Sequence, residues 1–264
     1  MSITTVGSAL IHYEALGRGR PLIFVHGWLG SWRYWWPSMQ ALSTQYRTFA
    51  FDLWGFGDSS KNPDLYNVKA YVDMLEQFVD QLGVALPVAL VGHSLGAAVA
   101  MRYASRHPQN VSRLVAVSLP AHGAQVNERL RSLEPDAVLS RILGKSHSFP
   151  EVEGEVRKTD PRAMNLTAVE MSSNGHFSEL DKVNCKVMLV HGEHDPIVSN
   201  PSGEFSYLRE TGQRRHFVGL DDASHFPMLE DAAVFNRLVY DFLSAGTSLL
   251  SEVSPREMWQ RRTR

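Results

Sequence analysis

Short apolar runs alternate along this chain with segments whose apolar positions recur every three or four residues. Pro21-Leu22-Ile23-Phe24-Val25, Arg47-Thr48-Phe49-Ala50-Phe51, Leu86-Pro87-Val88-Ala89-Leu90-Val91 and Leu114-Val115-Ala116-Val117-Ser118 are of the first kind. So are Lys186-Val187-Met188-Leu189-Val190 and Arg215-His216-Phe217-Val218-Gly219. Most runs this short and apolar read as strands buried on both faces. Ala9 to Ala15 reads as an earlier strand. The second kind is clearest from Val68 to Leu82, where Tyr71, Val72, Leu75, Phe78, Val79 and Leu82 share one helical face. A helix rich in small residues begins at Ala97, and Ala232 to Leu243 forms a closing helix. Strands alternating with helices predict an α/β fold, with a mostly parallel sheet covered by helices on both faces.

The alternation breaks once. Between about Leu119 and Leu180 no strand pattern occurs. Asn127 to Leu143 is helix-like through Leu130, Leu133, Val138, Leu139, Ile142 and Leu143, although Pro135 must kink or split it. Ala163 to Met171 forms another helical stretch. This divides the chain into a core of residues 1–118 and 181–246, a small helical cap inserted at 119–180, and a tail at 247–264. The tail carries Arg256, Arg261, Arg262 and Arg264 and reads as a surface helix or frayed end.

Composition narrows the class without naming a substrate. The chain has 264 residues, 44% hydrophobic and 20% charged, as expected of an ordinary globular protein. A net charge of −2 gives no general attraction to nucleic acid or anionic membranes. No apolar run reaches the roughly 18–20 residues of a membrane helix. The single cysteine, Cys185, precludes an internal disulfide and suits a reducing compartment. With no secretory pattern at Met1-Ser2-Ile3-Thr4-Thr5, the expected location is the cytoplasm.

One motif turns this frame into chemistry. Gly92-His93-Ser94-Leu95-Gly96 lies between a strand pattern and a helix pattern. A serine at so tight a turn is lifted clear of the backbone, with glycines at both ends making room. A serine hydroxyl needs a base, and the base an orienting acid. In sheets of this kind they follow in the order Ser, Asp, His. Asp195 lies just after a late strand, in Val190-His191-Gly192-Glu193-His194-Asp195-Pro196. His225 precedes the last helix, in Asp222-Ala223-Ser224-His225-Phe226-Pro227. The expected roles are Ser94 as nucleophile, His225 as base and Asp195 as its orienting acid. The backbone amides of Trp28 and Leu95 would form an oxyanion hole.

These landmarks, with His26-Gly27-Trp28 and Asp52-Leu53-Trp54-Gly55-Phe56-Gly57-Asp58-Ser59, resemble the α/β-hydrolase superfamily over nearly the whole chain. They look most like the branch with one short helical cap, which includes small-ester hydrolases, C–C bond hydrolases and haloperoxidase-like esterases. The resemblance implies an eight-stranded sheet and the triad Ser94, Asp195, His225. A serine where epoxide hydrolases and dehalogenases carry aspartate argues against ring opening through an aspartyl ester, and no HGGG loop is present.

The expected substrate is a small or medium, largely apolar carboxylic ester, cleaved without a cofactor. A C–C hydrolase of vinylogous ketones and a triad-retaining small-molecule sensor remain alternatives, and oligomeric state is not legible. His191, Glu193, His194 and Asp195 are too close in sequence to form a complete metal set, so no metal is expected. Asp52 and Asp58 read as fixing the turn after their strand. His26 reads as support behind the oxyanion loop, and His93 as directed away from the serine. Trp28, Trp32, Tyr34, Trp35 and Trp36 concentrate aromatic surface, with Trp28 expected in the pocket. Leu139, Leu143, Phe149 and Met164 are lid candidates.

Overall fold

The computed structural model describes residues 2–140, 149–173, 177–245 and 250–255. Within these, eight strands form one sheet: β1 (Ser2–Val6), β2 (Ala9–Leu16), β3 (Arg20–Val25), β4 (Tyr46–Phe51), β5 (Val88–His93), β6 (Val111–Val117), β7 (Lys186–Gly192) and β8 (Arg215–Leu220). Their order across the sheet is β1-β2-β4-β3-β5-β6-β7-β8. Only β2 runs against the rest: it pairs antiparallel with β1 and β4, and the other pairs are parallel. All of β5 and the last four residues of β3 are buried, which explains their continuous apolar sequence. At the edge, β1 alternates partly buried and exposed residues before the buried Val6, over five positions, too few to stand out in the sequence.

The sheet is covered by α1 (Trp36–Leu42), α2 (Val68–Gln81) and α3 (Leu95–Arg106), and near the carboxyl terminus by α8 (Pro227–Glu230) and α9 (Ala232–Ser244). Between β6 and β7 lie α4 (Pro135–Val138), α5 (Pro150–Val156), α6 (Pro161–Ser173) and α7 (Phe177–Leu180). Helix α2 packs on α3, and α1 on α9. The Asn67 side chain caps α2 by accepting from the Ala70 amide. Phe78 on its buried face meets the rings of Tyr13, Phe49 and Phe51 at 5.3, 6.3 and 4.8 Å. Truncating such a ring to alanine costs about 3–5 kcal/mol.

The helix-like segment over Asn127 to Leu143, which Pro135 is expected to kink or split, is split. Glu128–Arg131 is a 3-10 turn, and Pro135 opens α4. Proline lacks the amide hydrogen an interior position needs but loses nothing at the first turn. Arg141, Ile142 and Leu143 lie outside the described residues, as do the four tail arginines. The second expected helix is α6, two residues longer at each end than Ala163 to Met171. Beyond α9, Leu250 and Val253 are buried, and a short turn at Leu250–Glu252 packs on β8.

The β6–β7 segment is fastened by specific polar contacts to the loops after β3 and β4 and to the start of α2. The Trp28 indole N–H donates to Thr167 Oγ1 at 2.9 Å, and the Asp160 amide to the Gly55 carbonyl at 2.7 Å. Tyr66 donates to Asp160 at 2.9 Å, and Glu170 accepts from the Val68 amide at 2.9 Å. Arg33, Asp58, Glu155 and Lys158 close a ring of alternating charge, with Arg33 to Glu155 at 2.8 Å and Lys158 to Asp58 at 3.1 Å.

Candidate active site

Strand β5 ends at His93 and α3 begins at Leu95, so Ser94 alone makes the turn, at φ 56° and ψ −117°. A left-handed φ costs a non-glycine residue about 1–3 kcal/mol and persists only where its surroundings enforce it. Here they do. The Ser94 amide donates to the Val117 carbonyl at 2.8 Å, and its carbonyl accepts from Ala97 at 3.0 Å. A Cβ on Gly92 would lie 2.4 Å from the Gly96 carbonyl oxygen, and one on Gly96 would lie 2.3 Å from that of Val25. The glycine spacing is therefore a requirement of strand, helix and β3 meeting at one point. Ser94 Oγ is buried without a hydrogen-bond partner among the described residues. Leu95, first in its helix, has no intrahelical acceptor for its amide.

The loop after β7 carries Asp195, whose Oδ1 accepts from the amides of Ile197 and Val198 at 2.8 and 2.9 Å. Both its oxygens face His225 Nδ1, at 2.9 and 2.8 Å, and both side chains are fully buried. Burial pushes the Asp195 carboxyl up, but the adjoining imidazole and the Val198 amide outweigh it and hold the group at about 2. The ionised carboxylate can only accept, so Nδ1 carries the proton. In a neutral ring this makes Nε2 the acceptor, and it is buried and without a partner among the described residues. Gly192 permits this meeting, since a Cβ there would lie 2.1 Å from the Ser224 carbonyl oxygen. Glu230 fixes the histidine loop by accepting from the amides of Ser224 and Phe226 at 2.5 and 3.2 Å.

The loop after β3 lies directly against the serine. A Cβ on Gly27 would be 2.6 Å from Ser94 Cβ and 2.6 Å from the His93 carbonyl oxygen. His26 stands behind this loop: Nδ1 donates to the Gly27 carbonyl at 2.9 Å, and Nε2 accepts from Leu53 at 2.9 Å. Burial lowers its pKa and keeps the ring neutral. Trp28 is wholly buried, with its indole committed to Thr167. Of the other aromatic residues, Tyr34 and Trp35 are buried in the core and Trp36 is partly exposed.

The structure thus joins Asp195 to His225 and sets the Gly27–Trp28 loop against Ser94. The neighbouring polar residues go elsewhere. Glu193 pairs with Arg209 at 2.6 Å, His194 is exposed, and His191 stacks on Phe217, its pKa lowered by burial to about 4. Asp52 accepts from the amides of Trp32 and Asp58, tying the loops after β3 and β4. Among the described residues, His12, Asp52 and Asp58 bring potential metal-ligating atoms within 4.8 Å of one another. The two carboxylates are already engaged, Asp52 by those amides and by His12 Nδ1 at 3.1 Å, and Asp58 by Lys158 and Arg33. Cys185 is half-buried, and burial pushes its thiol up to about 11. Sequence reasoning missed Glu230, Thr167 and the Tyr34 hydroxyl, because their partners are set by loop positions and not by local pattern.

These landmarks define a class. The chain belongs to the alpha/beta hydrolase fold family, which matches residues 20–167. It is similar to a pimeloyl-[acyl-carrier protein] methyl ester esterase of Neisseria meningitidis, 28% identical over 86% of this chain and 94% of that protein. Among solved structures it is similar to a thermophilic esterase from Thermogutta terrifontis, with TM-score 0.75, 23% identity and coverage of 91% and 96% of the two chains. An enol-lactonase from Burkholderia xenovorans superposes with TM-score 0.77 at 20% identity, covering 92% and 99%. At the level of the family, then, the activity is hydrolysis, and the relatives include esterases. No helix among the described residues is long and apolar enough to cross a membrane.

Proposed function

We propose that this chain is a serine hydrolase that cleaves small or medium, largely apolar carboxylic esters through an acyl-enzyme. The observation that carries the reading is a pair of buried atoms without partners, Ser94 Oγ and His225 Nε2, the second on an imidazole oriented by an ionised Asp195. As Ser94 Oγ bonds to the ester carbonyl carbon, its proton passes to His225 Nε2. The tetrahedral oxyanion accepts from the amides of Trp28 and Leu95. On collapse the bond to the alkoxy oxygen breaks, and the leaving alcohol takes the proton from His225. Water then attacks the acyl-enzyme by the same route, releasing acid and free Ser94. Asp195 stays ionised throughout and stabilises the imidazolium. None of these steps requires a metal or cofactor.

The stretch from α4 to α7 acts as a cap over this site. An apolar substrate is supported by the rings at hand: Phe226 lies 5.1 Å from the His225 ring, and Phe149 lies 5.7 Å from Phe226. The test is hydrolysis of p-nitrophenyl esters from acetate to decanoate, with methyl esters added because the Neisseria relative is named for one. We expect a chain-length optimum and a loss of roughly 10⁶ in kcat for Ser94→Ala. Retention of more than about a tenth of the activity would overturn the nucleophile assignment. Negligible turnover by folded wild-type protein would overturn the ester reading in favour of C–C cleavage or ligand sensing.

A further inference from the structure

His93, the residue just before Ser94, is fully buried and bonded at both ring nitrogens. Nε2 lies 2.7 Å from the backbone carbonyl of His225, and Nδ1 lies 2.9 Å from the Tyr34 hydroxyl. The Tyr34 oxygen in turn accepts from the Gly27 amide at 2.5 Å. This chain admits one proton order for a neutral ring. A carbonyl can only accept, so the His93 proton sits on Nε2; Nδ1 is then an acceptor, so Tyr34 donates to it. Burial and the neighbouring His225 hold the His93 pKa well below its usual value, which fits that neutral ring.

Three separated loops are joined by these bonds: the one after β3, the turn at Ser94 and the one carrying His225. The join bears on the oxyanion hole through the planarity of the peptide bond. The Gly27 carbonyl and the Trp28 amide belong to one trans peptide, so fixing the carbonyl fixes the direction of the amide. His26 holds that carbonyl, and Tyr34 holds the amide on the other side of Gly27. The Gly27 main chain is thereby pinned on both sides.

The geometry points to Tyr34 and His93 as positioning residues that set the Trp28 amide and the His225 loop in register around Ser94. This rests on the serine hydrolase reading above. Neither residue touches substrate: both act through the backbone they hold. Tyr34→Phe removes the only hydroxyl in the relay and leaves the Gly27 amide and His93 Nδ1 without their partner.

The experiment has two arms. First, wild-type protein is treated with a fluorophosphonate and the labelled residue identified by mass spectrometry. Absence of label at Ser94 overturns the nucleophile assignment and this inference with it. Second, kcat and KM are measured for Tyr34→Phe, His93→Leu and His93→Gln, with Tyr71→Phe as control. Tyr71 is another wholly buried tyrosine, and its hydroxyl donates to the Trp54 carbonyl at 2.9 Å outside the relay.

We expect Tyr34→Phe and His93→Leu to lose about 10- to 100-fold in kcat with KM within about twofold, somewhat less than removal of an oxyanion donor. Affinity for a trifluoromethyl ketone, which mimics the oxyanion, should fall by the same factor. His93→Gln should recover most of the loss, since an amide can accept from Tyr34 and donate to the His225 carbonyl. Tyr71→Phe should lose stability but keep kcat. Wild-type kcat in Tyr34→Phe, labelled normally at Ser94, overturns the inference alone. So does an equal kcat loss in Tyr71→Phe. If Tyr34→Phe does not fold, equal kcat in His93→Leu and His93→Gln overturns it.

Discussion

Replacing Gly27 with alanine isolates the contact between the loop after β3 and the serine turn. Gly27 is not one of the positive-φ glycines, so alanine strains no backbone angle there. The perturbation is steric. The new Cβ would lie 2.6 Å from both Ser94 Cβ and the His93 carbonyl oxygen, and ordinary contact begins at 3.4 Å, so loop and turn must part by about 0.8 Å. An oxyanion donor works at about 2.7–3.1 Å, and a shift of that size carries the Trp28 amide out of range. The loss is then that of one donor, at least about 10²-fold in kcat or ~3 kcal/mol in the barrier. In the proposed mechanism the amide acts on the transition state, so KM should change little. Overpacking adds about 1–3 kcal/mol of lost stability. Initial rates with p-nitrophenyl butyrate give kcat and KM, fluorophosphonate titration gives the active fraction, and denaturant unfolding gives the stability. Gly154→Ala is the control: a Cβ there meets nothing within 4 Å, and kcat should be unchanged. A folded Gly27→Ala protein with kcat within threefold of wild type would refute the reasoning.

His225→Ala should reduce kcat by about 10³-fold or more, whereas His194→Ala, at an exposed position, should stay near wild type; reversed sensitivities in the same ester assay would show the base misassigned. Stability should fall as pH drops from about 6.5 toward 4. His191 titrates near about 6.5 when unfolded but at about 4 in the fold, so the unfolded state binds a proton the fold refuses, worth about 1.4 kcal/mol per pH unit. Asp195, held at about 2, contributes stability present above about 4 and lost only as pH falls through about 2, so it leaves that window untouched. His191→Phe should keep the stack on Phe217 and flatten the slope by about one proton in denaturant midpoints at pH 7, 6 and 5; equal slopes would refute this.

How much could be read in advance followed how burial is written into sequence. Strands β3 to β7 are covered on both faces for most of their length, and such burial leaves continuous apolar runs. Strand β1 sits at the edge, and its alternation over Ser2–Val6 gives a weak signal. Helix α2 was legible because its apolar residues hold to one face from Val68 to Gln81. In Asn127 to Leu143 the break was legible from Pro135 although the apolar spacing persists across it; what the spacing did not show is that the proline begins a helix instead of bending one. The turn at Ser94 was legible because main-chain approaches force glycine at positions 92 and 96. Tyr34 was not, because it lies in an aromatic run where burial alone explains a ring. Its hydroxyl acquires meaning only from Gly27 and His93, which folding brings to it.

The hydrogen bond from Trp28 to Thr167 spans 139 positions of sequence. It limits how freely the stretch between β6 and β7 can be exchanged. A foreign insertion grafted at residues 119–180 would need an acceptor where Thr167 Oγ1 stands, or it would leave an indole N–H buried and unsatisfied, at about 1–3 kcal/mol. It would also need a residue no larger than alanine where Ala163 meets Gly55, since a Cβ on Gly55 would already lie 2.4 Å from that methyl group. Sheet and insertion are therefore not interchangeable modules: a transplanted insertion must present an acceptor and a small residue at these two positions to the Trp28 and Gly55 that receive it.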